Sequence, residues 1–310
     1  MVVSIKKSGW KISVLIALAC QASAFGRQET NSPKLIPTLP PARSVPLGLR
    51  DGKEEYSAEM LQRFFKKEIA LYQVAIDGQA KPPVLREEPL MNWQNPERMA
   101  NQGSFFIWLD EGRPAMVASI FTYVYNGVTQ RRHELISFCD KPMQVSFDGD
   151  SVWKPKAAET AGWVITDVGE PATSAPRRLT QMRAIARELN GRLLIQPPSI
   201  LRLISTPLLR YESETNGVID GAIFSLAVVT DPEILVAIEA RKGKQGMQWY
   251  VTPFRSHYSG LDLEYRGKAL WKAEDKPELM MTGPLQMPFA GESFFVFTPK
   301  KRLPPAESLK

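Results

Sequence analysis

Apolar positions along the chain change period twice, from helical to alternating. After Ser57, the residues Met60, Leu61, Phe64 and Phe65 recur at the three- and four-residue spacing of one helical face. Ser57 is placed to accept from the unpaired backbone N–H groups of the first turn. A second stripe follows Ser174, with Leu179, Met182, Ala186 and Leu189 on one face and Gly191 as its expected end. Each helix leads into short runs rich in Val, Ile, Phe and Tyr. Residues 104–109, 114–125, 133–139 and 143–147 follow the first, and residues 222–229, 233–241, 248–254 and 261–265 follow the second. The connections are short, as at Asp110-Glu111-Gly112 and Asp231-Pro232. Parallel strands need a crossover of roughly a dozen residues, so these runs are predicted to pair antiparallel. The pattern predicts an α+β fold in which a helix covers one face of an antiparallel meander.

The last hairpin of each series makes a sharper expectation. Asp148-Gly149 and Arg266-Gly267 suit two-residue turns, which pairs Val145 with Val152 and Leu263 with Leu270. Trp153 and Trp271 stand one residue further on and are predicted to point to the opposite sheet face.

The two series also match each other. Gly103 and Gly221 are 118 residues apart (103 to 221), as are Trp153 and Trp271 (153 to 271), with no gap between. Phe106 falls on Phe224, Pro114 on Pro232, Ile120 on Ile238 and Gly149 on Gly267. The matches gather at Gly, Pro and Trp, residues tied to turns and large packing sites. The expected layout is two tandem repeats, each a helix plus an antiparallel sheet, related by a pseudo-twofold axis. It divides the chain into a signal peptide (1–24), a Pro-rich linker (25–56), repeat 1 (57–172), repeat 2 (173–298) and a C-terminal tail (299–310).

Charge and composition alter this picture mainly at the N-terminus. Lys6, Lys7 and Lys11 precede the apolar run from Ile12 to Ala19, and Ala22-Ser23-Ala24 supplies small residues for cleavage. That order is a secretory signal, too short to span a bilayer. Export to the periplasm or the extracellular space is therefore expected, with no transmembrane segment in the mature chain. Cys20 admits a lipoprotein as a minor alternative; otherwise Cys139 is the only cysteine left and no internal disulfide can form. Removing the three lysines from 39 basic residues leaves 36 against 33 acidic ones, a net +3. That balance, with no basic stripe interleaved with aromatics, argues against nucleic acid as a partner.

Signatures of common chemistries are missing: there is no Gly-rich phosphate loop, no His-Glu-x-x-His and no Gly-x-Ser-x-Gly. Two histidines, His133 and His257, leave little to build a metal site, so neither a metal nor a cofactor is expected and no catalytic residue is assigned. Where two copies share a scaffold, specificity belongs where they differ. Arg131-Arg132-His133 aligns with Trp249-Tyr250-Val251, and Arg255 and His257 stand opposite Ser137 and Cys139. Arginine forks suit carboxylates or phosphates, and aromatic faces suit planar rings or sugars. The candidate binding residues are therefore Arg131, Arg132, His133, Trp249, Tyr250 and Arg255, as a composite site for an anionic, ring-bearing ligand.

Several stretches resemble an uncharacterised family of exported bacterial proteins of the planctomycete type. They include residues 178–183 (Arg-Leu-Thr-Gln-Met-Arg), 207–211 (Pro-Leu-Leu-Arg-Tyr), 220–224 (Asp-Gly-Ala-Ile-Phe) and Gly112-Arg113-Pro114. The resemblance implies an exported folded protein and carries no assigned activity. The leading expectation is a non-catalytic exported module that binds a ligand or a protein partner. The alternatives are an exported hydrolase of envelope or polysaccharide material and a carrier whose apolar pocket lies between two curled sheets.

Overall fold

The computed structural model describes residues 56–309, except 99, 244–245 and 282–287. The expected signal peptide and all of the linker except Tyr56 lie outside the described residues. The first helix, α1 (Ala58–Ile69), begins as its sequence dictates, with the Ser57 side chain accepting from the Met60 backbone N–H at 3.3 Å. It is followed by β1 (Tyr72–Ile76), β2 (Val84–Leu85), β3 (Met91–Asn95), β4 (Ala100–Asp110), β5 (Arg113–Tyr125), β6 (Val128–Ser137), β7 (Met143–Phe147) and β8 (Asp150–Lys154). A short β9 (Trp163–Ile165) leads to α2 (Ala175–Arg187). Then come β10 (Leu189–Leu193), β11 (Ser199–Ile200), β12 (Arg202–Ser213), β13 (Val218–Val228), β14 (Asp231–Gly243), β15 (Gly246–Arg255), β16 (Leu261–Tyr265) and β17 (Lys268–Ala273). The chain closes with β18 (Phe289–Ala290), β19 (Phe294–Phe297) and a 3-10 turn at Ala306–Leu309.

Two large sheets carry the architecture. One has the order β19-β6-β5-β4, with β2 and β3 both on the outer edge of β4; the other has the order β12-β13-β14-β15-β9. Pairing is antiparallel apart from the short parallel contact of β18 with β8. Only 14% of the described residues are helical against 53% in strands, so the class is mainly β, and the expected α+β balance overstated the helices.

The long central strands explain their own sequences. All of β5 from Pro114 to Thr122 is buried, because both faces of its sheet are covered. One face packs on α1 and the small sheet β1-β7-β8-β18, through Leu61, Phe65, Phe106, Met116 and Trp153. The second large sheet is covered in the same way by α2 and the small sheet β11-β10-β16-β17, through Met182, Ile185, Phe224 and Trp249. The remaining faces pack on each other, with Phe105, Val117 and Phe138 meeting Ile223, Leu235 and Phe254. Phe138 and Phe254 stack at 3.9 Å between ring centroids.

Several expectations are corrected. The turn at Asp148-Gly149 is the two-residue kind, with both residues at positive φ, but a bulge follows it and Val145 pairs with Trp153. The matching bulge in the other hairpin pairs Leu263 with Trp271. The extra residue turns Trp153 back to the face of Val145, where it is fully buried and donates from Nε1 to the Glu292 carbonyl at 3.2 Å. Gly191 does not end α2; it lies within β10, where a side chain would press on Leu201, Leu226 and Ile234. Asp231 and Pro232 open β14, and the turn before them bends at Val229, whose φ is +55°. Strand pairing also crosses the expected repeat boundaries. β9, expected in repeat 1, pairs with β15, while β18 and β19, expected in repeat 2, pair with β8 and β6. The C-terminal tail packs on the fold: Ala306 is buried and the Tyr56 hydroxyl donates to the Pro304 carbonyl at 2.9 Å.

Candidate functional site

Alternation along β6 sorts the three candidate residues of the first unit. Arg131 and His133 face α1, and Arg132 faces the opposite large sheet beside Tyr123, with 4.6 Å between guanidinium and ring centroid. Beneath Arg131 and His133, α1 presents a carboxylate within its apolar stripe: Leu61, Phe65, Glu68 and Ile69 are all buried. A buried carboxylate needs partners, and Glu68 has two. Arg131 Nη1 reaches Oε1 at 2.5 Å, and His133 Nε2 faces Oε2 at 3.3 Å. The second nitrogen of the imidazole, Nδ1, lies 2.6 Å from the Tyr72 hydroxyl.

The protons of this chain follow from burial. Burial, and then the charge of Glu68, push the Tyr72 phenol well above its ordinary pKa, so it keeps its proton and donates to Nδ1. The imidazole proton then sits on Nε2, 3.3 Å from Glu68 Oε2 but outside hydrogen-bond geometry. Burial also lowers the His133 pKa, outweighing the opposing pull of Glu68, so the ring is neutral. Arg131 completes the chain by donating from Nη2 to the Lys301 carbonyl at 2.7 Å, which ties the C-terminal segment to β6.

Glu68 and Arg131 of this chain, but not Tyr72 or His133, line a cavity of about 640 Å³ between α1, the β7–β8 hairpin and the C-terminal segment. Phe64, Leu71, Phe147, Val152 and Phe297 supply apolar wall, and Lys67, Lys300, Lys301 and Arg302 stand around it. A second cavity, about 750 Å³, opens between the same segment and the β5–β6 hairpin. Arg131 and residues 299–302 line both, so the segment runs as a strap between them.

The other candidates are placed elsewhere. Trp249 is fully buried beneath α2, and Tyr250 lies on the opposite face of β15 with the Arg241 guanidinium 4.9 Å from its ring centroid. Arg255 holds the following loop by donating to the carbonyls of His257, Tyr258 and Ser259 at 2.7–3.0 Å. The expected composite surface is therefore not assembled: Arg131 and His133 stand at Glu68, Arg132 and Tyr250 are engaged within their own sheets, and Arg255 holds its loop and lies over Phe294 of the other large sheet, 5.6 Å from the ring centroid. Sequence reasoning missed Glu68 and Tyr72. The signal for Glu68 was its position three residues after Phe65 and seven after Leu61, on the buried stripe.

A different charged cluster lies between the large sheets. Glu239 accepts from Tyr211 at 2.8 Å, from Arg113 at 3.1 Å and from Arg241. Burial would raise its pKa, but the two guanidiniums hold it below the ordinary value. The space beside it is only about 10 Å³, room for about one water. Among the described residues there is no His, Cys, Asp and Glu group suited to a metal ion, and no helix long and apolar enough to cross a membrane. No protein-family model, no curated protein and no solved structure matches the chain.

Proposed function

We propose that the chain is an exported, non-catalytic binding module made of two copies of one unit, with its ligand site in the cavity of the first. The element bounds support the duplication. β4, β5, β6 and β7 become β13, β14, β15 and β16 when moved by 118 residues (100 to 218, 113 to 231, 128 to 246, 143 to 261). Contacts between the copies are reciprocal, as a pseudo-twofold axis requires. Gln94 and Asn95 at the end of β3 bond Thr230 and Asp231, and Ser213 at the end of β12 bonds the Glu111 carbonyl.

The observation that carries the site is a difference between the copies. Glu68, Arg131 and His133 correspond to Ala186, Trp249 and Val251, all fully buried in the apolar core under α2. The scaffold thus accepts uncharged side chains at these positions, with only the Trp249 indole N–H left without a partner. A buried polar set beside a cavity is an expensive substitute, and it needs a reason other than folding. The hydrolase reading is disfavoured by His133 itself, since the ring is fully buried, its Nδ1 is held by Tyr72 and it does not line the cavity. The carrier reading is disfavoured between the sheets, where that space is filled by stacked side chains.

The test transplants the second wall into the first. The triple variant Glu68→Ala, Arg131→Trp, His133→Val should fold with a melting temperature no lower than the parent. It should also lose the fluorescence enhancement of N-phenyl-1-naphthylamine, a neutral apolar probe, that the parent gives. Unfolding of the variant would make the polar set structural. Unchanged probe binding would remove the cavity as the site.

A further inference from the structure

Resting on the cavity reading above, we infer that the ligand is a single-chain amphiphile whose anionic head lies at the strap and whose chain fills the cavity. The lining is sorted by polarity. Five cationic side chains stand on it (Lys67, Arg131, Lys300, Lys301 and Arg302) against three carboxylates, Glu68, Asp148 and Asp150. Each carboxylate already has a cation: Glu68 has Arg131, Asp150 has Lys300 at 2.7 Å, and Asp148 has Lys301. Lys67 and Arg302 form no ion pair among the described residues, so the surplus charge is positive. Positive charge beside a low-dielectric cavity selects a negative ligand group.

The position of the head follows from the donors that remain. Arg131 is the deepest cation, but its guanidinium is committed to Glu68 and to the Lys301 carbonyl. Both of its terminal nitrogens are engaged and its Nε, though without a partner, is fully buried, so no open fork is left for a bidentate anion. The exposed Lys67 and Arg302 are available, and the exposed Lys300–Asp150 pair is weak enough to exchange for a ligand anion. The head therefore lies at the outer cations.

A flexible chain suits the interior better than a stacked ring. The Phe64 face carries the Arg131 guanidinium 5.4 Å from its centroid. Phe147 and Phe297 are locked edge-to-face around His133, at 5.0 and 5.1 Å. Their remaining edges, with Leu71 and Val152, offer close contact without a free stacking plane. A volume of about 640 Å³ falls within the range of small-molecule sites.

The experiment is displacement of N-phenyl-1-naphthylamine from the full chain by three matched compounds below their micelle concentrations: dodecanoate, dodecanol and dodecyltrimethylammonium. Dodecanoate should displace the probe at about tenfold lower concentration than dodecanol, with the cation weakest. The double variant Lys67→Glu, Arg302→Glu should erase that advantage while leaving dodecanol unchanged. Leu71→Trp, at a half-exposed wall position, should weaken all three by filling the space. Equal displacement by all three, or an advantage that survives the double variant, would overturn the anionic head and leave the cavity standing. Failure of all three, with probe binding intact in Leu71→Trp, would overturn the cavity itself.

Discussion

At the residue scale, His133 shows how one buried ring can be fixed in tautomer and charge by its neighbours. Its folded-state pKa lies below the ordinary 6.5, chiefly because burial disfavours the imidazolium. As pH falls through about 6.5, the unfolded chain takes up a proton that the folded chain refuses, so stability falls. The contribution is present above that pH and lost progressively below it. His133→Gln can still accept from Tyr72 and stand beside Glu68, but it cannot titrate. Thermal denaturation between pH 7.5 and 5.5 should therefore show a shallower acid slope in the variant, by up to about 1.4 kcal/mol per pH unit. Equal slopes would mean that His133 is protonated in the folded protein.

Two glycines make a second test at this scale. Gly103 lies under the Trp93 indole and Gly221 under the Tyr211 ring, where an added Cβ would stand 2.7 Å from ring carbons in the latter case. Gly103→Ala and Gly221→Ala should each cost about 1–3 kcal/mol in chemical denaturation, because neither aromatic can shift in a packed core. Only Arg131 and His133 of the candidate site were legible at this level, and the limits are physical. The contrast of Arg131 and His133 with Trp249 and Val251 pointed to β6. Facing along the strand, which separates Arg132 from its neighbours, and the partner on α1 depended on packing that a linear pattern does not contain.

At the element scale, strand positions followed hydrophobic runs well, while one-residue irregularities did not. β7 and β16 have the expected bounds, yet the bulges after their turns reverse the facing of Trp153. A bulge is one extra unpaired residue, and nothing in an apolar run marks it. β1, β3, β10 and β12 were not expected, Leu189 of β10 having been read as helical, and β9 and β19 were missed because they are short and pair with strands distant in sequence. The strap that follows β19 is the element most exposed to test. Ending the chain after Thr298 removes the Lys301 carbonyl from Arg131, the Pro304 carbonyl from Tyr56 and the buried Ala306. The truncated protein should lose about 2–4 kcal/mol of stability, since a buried guanidinium loses an acceptor. No loss in urea denaturation would return this segment to the status of a solvated tail.

At the scale of the whole molecule, two sheets meet face to face, and one carboxylate bridges them. Arg113 from the first sheet and Tyr211 and Arg241 from the second converge on Glu239. Such a desolvated pair contributes orientation more than net stability. Export belongs to the same scale: the mature protein should begin near Phe25, which the intact mass of the secreted chain checks, and a retained Met1 or a lipid on Cys20 would contradict it. The central claim is that one cavity of one unit binds the ligand, and side-chain methyl NMR of the mature protein titrated with dodecanoate tests it most directly. The account predicts shifts at Leu71, Val152 and Leu309, which line the cavity, and none at Ile223 or Leu235 between the sheets. Shifts centred on Ile223 and Leu235, or none anywhere at saturating dodecanoate, would contradict it.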